Sequence, residues 1–236
     1  MLNWQEDLLE LLGGSQSIDE ILRKVEKATK ELGFEYCAYG MKQPLPLTQP
    51  KIITISNYPK AWQDHYKEKG YIAIDPTIKA CRQSGRPVIW SDELFQSAPA
   101  MWEEAQAHDL RVGWAQVVMD KSGTGGMLTL ARSREPLTAA ELEANDTKRR
   151  WLAHITHLVM STSVLNQTAS ATANLTDREI EVLRWAADGK TSADISAILT
   201  ISDNTVNFHI KNAVAKLGAA NKTAAVVKAA LLGYLC

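Results

Sequence analysis

The segment from residue 175 to 233 constrains this chain more than any other, because helix start and stop signals recur there at intervals that only short helices can fill. Thr176-x-x-Glu179 has the form of a capping box, in which a hydroxyl and a carboxylate satisfy free amides at the start of a helix. Ile180, Leu183 and Ala187 follow at helical spacing, and Gly189 ends the run. Ser192 is placed to cap a second helix at 193–199. The turn Thr200-Ile201-Ser202 leads to a third helix at 203–217, closed by Gly218, and a fourth at 223–232 ends at Gly233. Four such helices fold as a compact bundle. A short helix, a tight turn and a longer helix is the grammar of a helix-turn-helix.

In the third helix Val206, Ile210, Val214 and Leu217 form the apolar stripe that faces the bundle. Positions 204, 207, 208 and 211 share the opposite face, with Asn204, Asn207 and Lys211 as its polar members. In a major groove Asn pairs with adenine, and Lys reaches guanine or phosphate. Lys190, Thr205, His209, Lys216 and Lys222 are placed to hold the DNA backbone. Residues 171–236 carry seven Lys and Arg against six Asp and Glu, a balance of +1. Five of those acids precede Ser202, and four Lys with no acid follow Asp203, so the positive end coincides with the third helix. On spacing alone, a structural bundle with a solvated lysine face competes with DNA binding.

The rest of the chain differs in texture. Of 236 residues, 45% are apolar and 22% charged, enough for a sizeable core. The net charge of −1 gives no bulk attraction to nucleic acid or to a membrane surface. Three cysteines without a CxxC pair argue against a disulfide framework or a Cys-rich zinc site. No apolar run approaches membrane-spanning length, and residues 1–12 carry Glu6, Asp7 and Glu10 without a basic residue, unlike a signal peptide. The expectation is a soluble, cytoplasmic protein without cofactor. Ser17-x-x-Glu20 opens a first helix that Gly33 closes. Strand patterns follow at 34–41 and 51–56, helices after Pro59, after Asp75-Pro76 and at 99–108, and a short strand at 88–90. Residues 113–120 and 127–132 form a hairpin, and Thr138-x-x-Glu141 opens a long helix to about residue 164. Residues 161–174 are rich in Ser, Thr, Ala and Asn and read as a helix end followed by a linker. The domains are therefore 1–165, a linker at 166–174, and 175–236. The fold class is α+β: an N-terminal α-β-α sandwich with an antiparallel sheet, then the four-helix domain.

The centre of the first domain is aromatic, and most of those rings belong to its core. Tyr58, Trp62 and Tyr66 fall on one helix face. Asp75 stands before Pro76 amid Tyr71, Ile72, Ile74 and Ile78, where a carboxylate is either the cap of the next helix or a buried ligand acceptor.

Residues 175–233, LTDREIEVLRWAADGKTSADISAILTISDNTVNFHIKNAVAKLGAANKTAAVVKAALLG, closely resemble the helix-turn-helix of LuxR-family transcription regulators. SNYPKAWQDHYKEKGYIAIDPTIK, VIW at 88–90 and WEEAQAHDLRVGW at 102–114 resemble the autoinducer-binding domain of LuxR-type quorum-sensing receptors. The resemblance implies a non-enzymatic, homodimeric regulator. It would bind an N-acyl homoserine lactone in an α-β-α sandwich and a palindromic double-stranded promoter element through its C-terminal domain. RNA polymerase is a further partner to consider. By the same resemblance Trp62 donates to the lactone carbonyl, Asp75 accepts the amide N–H, and Tyr58 and Thr129 donate to the amide carbonyl. Trp90 walls the lactone ring, Tyr66 and Thr77 line the pocket, and Gly113 permits close packing. Gln63, Ala115 and Met127 are expected to tune chain selectivity. Glu179, Leu183 and Gly189 hold the C-terminal module together. The long helix, through Trp151, Ile155, Leu158, Val159 and Thr162, is the candidate dimer surface.

Other signals point elsewhere less well. His154-x-x-His157 lacks further ligands at metal spacing and reads as a solvated or interface helix face. The glycine-rich stretch 122–126 reads as a hairpin turn and lacks the lysine and helix of a phosphate loop. No GxSxG supports a hydrolase acting on the lactone, although an enzyme of that kind and a same-fold regulator of another inducer remain rival readings. A phosphoacceptor domain is disfavoured because Lys42-Gln43-Pro44, not acids, follow the first strand.

Overall fold

The computed structural model describes Leu9 and residues 17–43, 48–120, 124–168 and 174–235. The remainder of the acidic start, most of the glycine-rich turn before Thr124 and the linker centre at 169–173 lie outside the described residues. The chain divides into two compact units, with the division in sequence after Val164.

The first unit is built on a five-stranded antiparallel sheet whose strands lie in the order Ile52–Ser56, Tyr36–Lys42, Gly125–Arg132, Val112–Met119 and Val88–Ile89. Helix α1 (Ile18–Glu31) starts at the capping box expected from the sequence, with Ser17 and Glu20 bonding each other's backbone amides. Strand β1 (Tyr36–Lys42) pairs with β2 (Ile52–Ser56) on one side and β5 (Gly125–Arg132) on the other. Strand β4 (Val112–Met119) joins β5 in the expected hairpin and carries the short edge strand β3 (Val88–Ile89).

Period-two alternation gives the sheet two unlike faces. Cys37, Tyr39, Met41, Trp114, Val118, Leu128 and Leu130 pack with α1 and with α6 (Asp146–Thr168) in one dense core. The opposite face meets α2 (Lys60–Glu68), α3 (Pro76–Ser84) and α4 (Pro99–Ala107), with a second cluster around Trp62, Phe95, Met101 and Trp102. This is the helix–sheet–helix sandwich.

The long helix expected from residue 139 is two helices. Helix α5 (Ala139–Ala144) stops at Asn145, and α6 starts anew at Asp146. Buried Arg149 explains the break, because its guanidinium donates to the carbonyls of Glu141 at 3.4 Å and Leu142 at 2.5 Å. Thr138 caps α5, but the Glu141 carboxylate does not complete the box. It takes Arg132 in two hydrogen bonds of 2.8 and 2.9 Å. His157 is not a solvated face residue either. It is 2% exposed, and its Nδ1 shares a 2.6 Å hydrogen bond with the Tyr39 hydroxyl. Gly126 lies beneath that pair, where a Cβ would come within 2.5 Å of His157 Nδ1.

The second unit contains α7 (Asp177–Ala187), α8 (Ser192–Leu199), α9 (Asp203–Lys216) and α10 (Lys222–Leu231). Its cores are Leu175, Leu183, Ala213, Leu217, Ala225 and Ala229, and beside them Val182, Ile195, Val206 and Ile210. Two helix starts differ from expectation by a residue or two. Thr191 rather than Ser192 caps α8, in a reciprocal box with Asp194, and Asn221 caps α10. Thr200 ends α8 at φ +53°, a left-handed corner that turns the chain towards α9.

Candidate functional site

A cavity of about 540 Å³ opens on the α2–α4 face of the sheet, within the range of small-molecule sites. The seven residues expected to touch ligand, Tyr58, Trp62, Tyr66, Asp75, Thr77, Trp90 and Thr129, all line it. Gln63 and Met127 line it too, whereas Ala115 and Gly113 lie outside the lining. Sequence reading missed the contribution of β1 and β2: Ala38, Gly40, Thr54 and Ser56 also form wall. The signal was present in β1, where residues 38 and 40 alternate with the buried 37, 39 and 41.

Asp75 caps the following helix, one of the two roles the sequence offered, and its other oxygen stands at the cavity. Its Oδ1 caps α3, accepting from Thr77 N at 2.8 Å and Thr77 Oγ1 at 2.6 Å. Its Oδ2 accepts from Tyr66 Oη at 2.9 Å and borders the cavity. Burial raises the Asp75 carboxyl above its ordinary range, although the bonds from Thr77, Tyr66 and the Ile78 backbone oppose this. Burial likewise drives the Tyr58 and Tyr66 phenols well above 10.0, so both remain hydroxyl donors at any working pH.

Two buried polar atoms among the lining residues have no partner: Tyr58 Oη and Trp90 Nε1. An unmade bond of this kind costs on the order of 1–3 kcal/mol, so such groups mark places where a ligand can contribute. Trp90 has little freedom to find a partner by itself. Its backbone amide donates to Gly113 O at 2.9 Å, and its ring stands edge-on to both Phe95 and Trp102. The absent side chain of Gly113 leaves the space the indole occupies.

In the second unit the outward face of α9 presents Asn204, Asn207, Phe208 and Lys211 as exposed side chains, while Val206, Ile210 and Leu217 are buried. Asn207 Oδ1 takes a 2.9 Å hydrogen bond from Ser192 Oγ on α8, and Thr205 is held by Ser202. Lys190 is exposed and His209 is partly exposed. Lys222 Nζ donates to Lys190 O at 3.1 Å. Lys216 is engaged inside the domain: it donates to Glu179 Oε2 at 2.8 Å and to Asn174 O at 3.0 Å. Glu179 is only 3% exposed, so this lysine balances a buried carboxylate.

An aromatic cavity with few fixed polar groups, followed in the chain by a helix-turn-helix bundle, defines a ligand-responsive transcription regulator. Residues 17–160 match the family described as "Autoinducer binding domain", and residues 173–229 match "Bacterial regulatory proteins, luxR family". The chain belongs to the LuxR family and is a quorum-sensing transcription regulator. It is 43% identical over 239 residues to the transcriptional activator protein AnoR of Acinetobacter nosocomialis, with 100% of both chains covered. Among solved structures, SdiA of Escherichia coli superposes with a TM-score of 0.84 at 35% identity, covering 99% of this chain and 98% of that one. SdiA in complex with octanoyl-rac-glycerol gives 0.83 at 35%, covering 98% and 95%. Among the described residues no helix is long and apolar enough to cross a membrane, and no group of His, Cys, Asp and Glu is arranged to hold a metal ion.

Proposed function

We propose that the chain is a cytoplasmic, homodimeric receptor for an N-acyl homoserine lactone that binds a palindromic promoter element without chemically altering its ligand. Its domains are 1–165 and 175–236, with a linker at 166–174. The observation that carries the ligand reading is the half-buried Asp75 carboxylate at a cavity whose lining also holds the partnerless Tyr58 hydroxyl. An acyl amide supplies an N–H for Asp75 and a carbonyl for Tyr58, with Thr129 beside it. The lactone carbonyl takes the Trp62 N–H, with Trp90 as wall, and Tyr66 and Thr77 fix the Asp75 carboxylate. The acyl chain occupies the apolar remainder. On DNA, Asn204, Asn207 and Lys211 read the groove, while Lys190, Thr205, His209 and Lys222 hold the backbone. Lys216 is withdrawn from that set because Glu179 holds it. Exposed Leu158 and Thr162, with partly buried Trp151 and Val159, form the dimer face of α6; Ile155 belongs to the core instead. RNA polymerase is the natural downstream partner of a promoter-bound activator.

The SdiA complex favours one second ligand class, a monoacylglycerol, whose hydroxyl would replace the amide N–H at Asp75. Both classes are tested by expressing the full chain with each lactone or acylglycerol, extracting it for mass spectrometry and scanning its melting temperature. A ligand that binds only the native state adds about 2.7 kcal/mol at a hundred times its Kd. That corresponds to a rise of about 5–11 °C in a chain of this size. Intact ligand in the extract supports binding over turnover. Equal melting with every compound and with none refutes the proposal.

A further inference from the structure

Trp62 is 3% exposed and lies within a group of aromatic side chains that converge on one carboxylate. Glu104, on α4, accepts at Oε2 from Tyr71 Oη at 2.5 Å and from His65 Nε2 at 2.6 Å. Its backbone carbonyl accepts from His108 Nδ1 at 2.8 Å. A carboxylate and a carbonyl only accept, so His65 carries its proton on Nε2 and His108 on Nδ1. All three bonded rings pack on Trp62. Their centroids stand 6.3 Å (His65), 6.1 Å (Tyr71) and 5.5 Å (His108) from the indole.

These rings come from separate pieces of chain. His65 shares α2 with Trp62, Tyr71 starts the 3-10 turn Tyr71–Ala73, and His108 follows α4. Glu104 therefore ties three segments of the cavity's upper layer together, yet it is not itself a lining residue. The Tyr71 hydroxyl first, and His65 second, hold its carboxyl below the ordinary range, so it is ionised at neutral pH and accepts from both.

Apolar packing fixes where an indole sits more firmly than it fixes the direction of its N–H. Neighbours that are themselves hydrogen-bonded remove that remaining freedom, which is how surrounding residues pre-organise a binding group. We propose that Glu104 is a positioning residue for ligand recognition: by fixing His65, Tyr71 and His108 around Trp62, it aims the indole N–H at the ring carbonyl of the lactone. This rests on the lactone reading above.

The test compares two ligands on the full-length protein. One is the straight-chain N-acyl homoserine lactone that binds tightest in a series from butanoyl to dodecanoyl. The other is the matched N-acyl-3-aminotetrahydrofuran, which keeps the ring oxygen and amide but lacks the ring carbonyl. Glu104→Ala is expected to weaken the lactone by about 5- to 30-fold, the scale of one hydrogen bond lost or misaimed, while the carbonyl-free analogue binds as it does to wild type. Glu104→Gln, whose amide oxygen can take the place of Oε2 and accept from both donors, is expected to bind the lactone close to wild type. In a Trp62→Phe background Glu104→Ala adds no further loss. If Glu104→Ala does not fold, Tyr71→Phe removes one of the two bonds to Oε2 and carries the same comparison. Equal loss for both ligands, or loss for neither, overturns the positioning role. Equal binding of both ligands to wild type also overturns it, while leaving the amide end of the lactone reading intact. Binding of neither probe to wild type removes the lactone reading and this inference together.

Discussion

Gly113→Ala tests the packing that shapes the cavity. A Cβ on residue 113 would stand 2.5 Å from Trp90 Cε2 and Cε3 and closer still to Cδ2. Carbon atoms rest at about 3.5–4.0 Å, so the indole must retreat by about 1 Å or more. It has nowhere to go cheaply. Phe95 and Trp102 stand edge-on to it with centroids at 5.9 and 6.0 Å, and those two rings are themselves stacked at 4.4 Å. Its backbone is tied to Gly113 O at 2.9 Å. Overpacking of this kind costs about 1–3 kcal/mol. In a chain of this length that lowers the melting temperature by about 2–12 °C. A displaced indole also enters the ligand's space, so affinity falls with stability. Thermal scanning and ligand titration read both effects. Trp90→Ala vacates the volume the new methyl needs, so Gly113→Ala should cost little in that background, a coupling that a double-mutant cycle measures. Wild-type melting for Gly113→Ala, or the same loss with and without Trp90, would refute the reasoning.

Tyr39→Phe leaves His157 Nδ1 buried without its partner, and should cost about 1–3 kcal/mol in denaturant unfolding. Gly126→Ala should destabilise at least as strongly, because its methyl falls on the same hydrogen bond. For Glu179, burial pushes the carboxyl up, but Lys216 and Thr176 outweigh it and leave the folded value below the ordinary 4.5. Its contribution is therefore fully present above about 4.5 and lost as pH falls through the lower folded value; melting of Glu179→Gln should show a smaller change between pH 7 and pH 4. Gel shifts with ligand held saturating should show Lys211→Ala losing operator affinity and Asn207→Ala losing base preference, on half-sites about 10 bp apart. Lys222→Ala should weaken all sequences alike and reduce the salt slope by about 1; unchanged binding by the first two variants would mean that another face of α9 enters the groove.

Features written in neighbouring residues were legible in the sequence. Ser17 with Glu20 and Thr176 with Glu179 bond as their spacing implies, because a capping box is complete within four residues. The apolar stripe of α9 likewise needed only helical periodicity. What escaped depends on partners outside the window that local spacing reads, 7 to 118 positions away. Glu141 has the spacing of a capping box, but Arg132 competes for its carboxylate with a bidentate ion pair. The break at Asn145 depends on a guanidinium that folds back on the preceding carbonyls, and no local breaker residue announces it. His157 read as a solvated or interface position because its partner, Tyr39, lies 118 positions earlier. The seven cavity residues were named through family resemblance, since periodicity alone could not separate lining rings from core rings. Glu104 carries no sequence signal of its own, because its role exists only when α2, the 3-10 turn and α4 meet.

The two faces of the sheet explain why ligand and fold belong to one account. The face towards α1 and α6 is closed by aliphatic and aromatic side chains, with Tyr39 and His157 bonded to each other inside it. The face towards α2, α3 and α4 keeps a cavity of about 540 Å³ and leaves Tyr58 Oη and Trp90 Nε1 without partners. An amphipathic ligand in this cavity adds dispersion contacts, and one with an acceptor at Tyr58 Oη supplies a hydrogen bond that the protein does not. Its polar groups are also fixed by the elements they start: Asp75 caps α3 with the same carboxylate that meets Tyr66, so ordering the helix orders the site. Ligand occupancy should therefore raise the stability of the first unit through the residues proposed above to recognise it. On the proposed ligand contact, substitutions at Asp75 act twice, as loss of a helix cap in the free protein and as loss of an acceptor in the bound one.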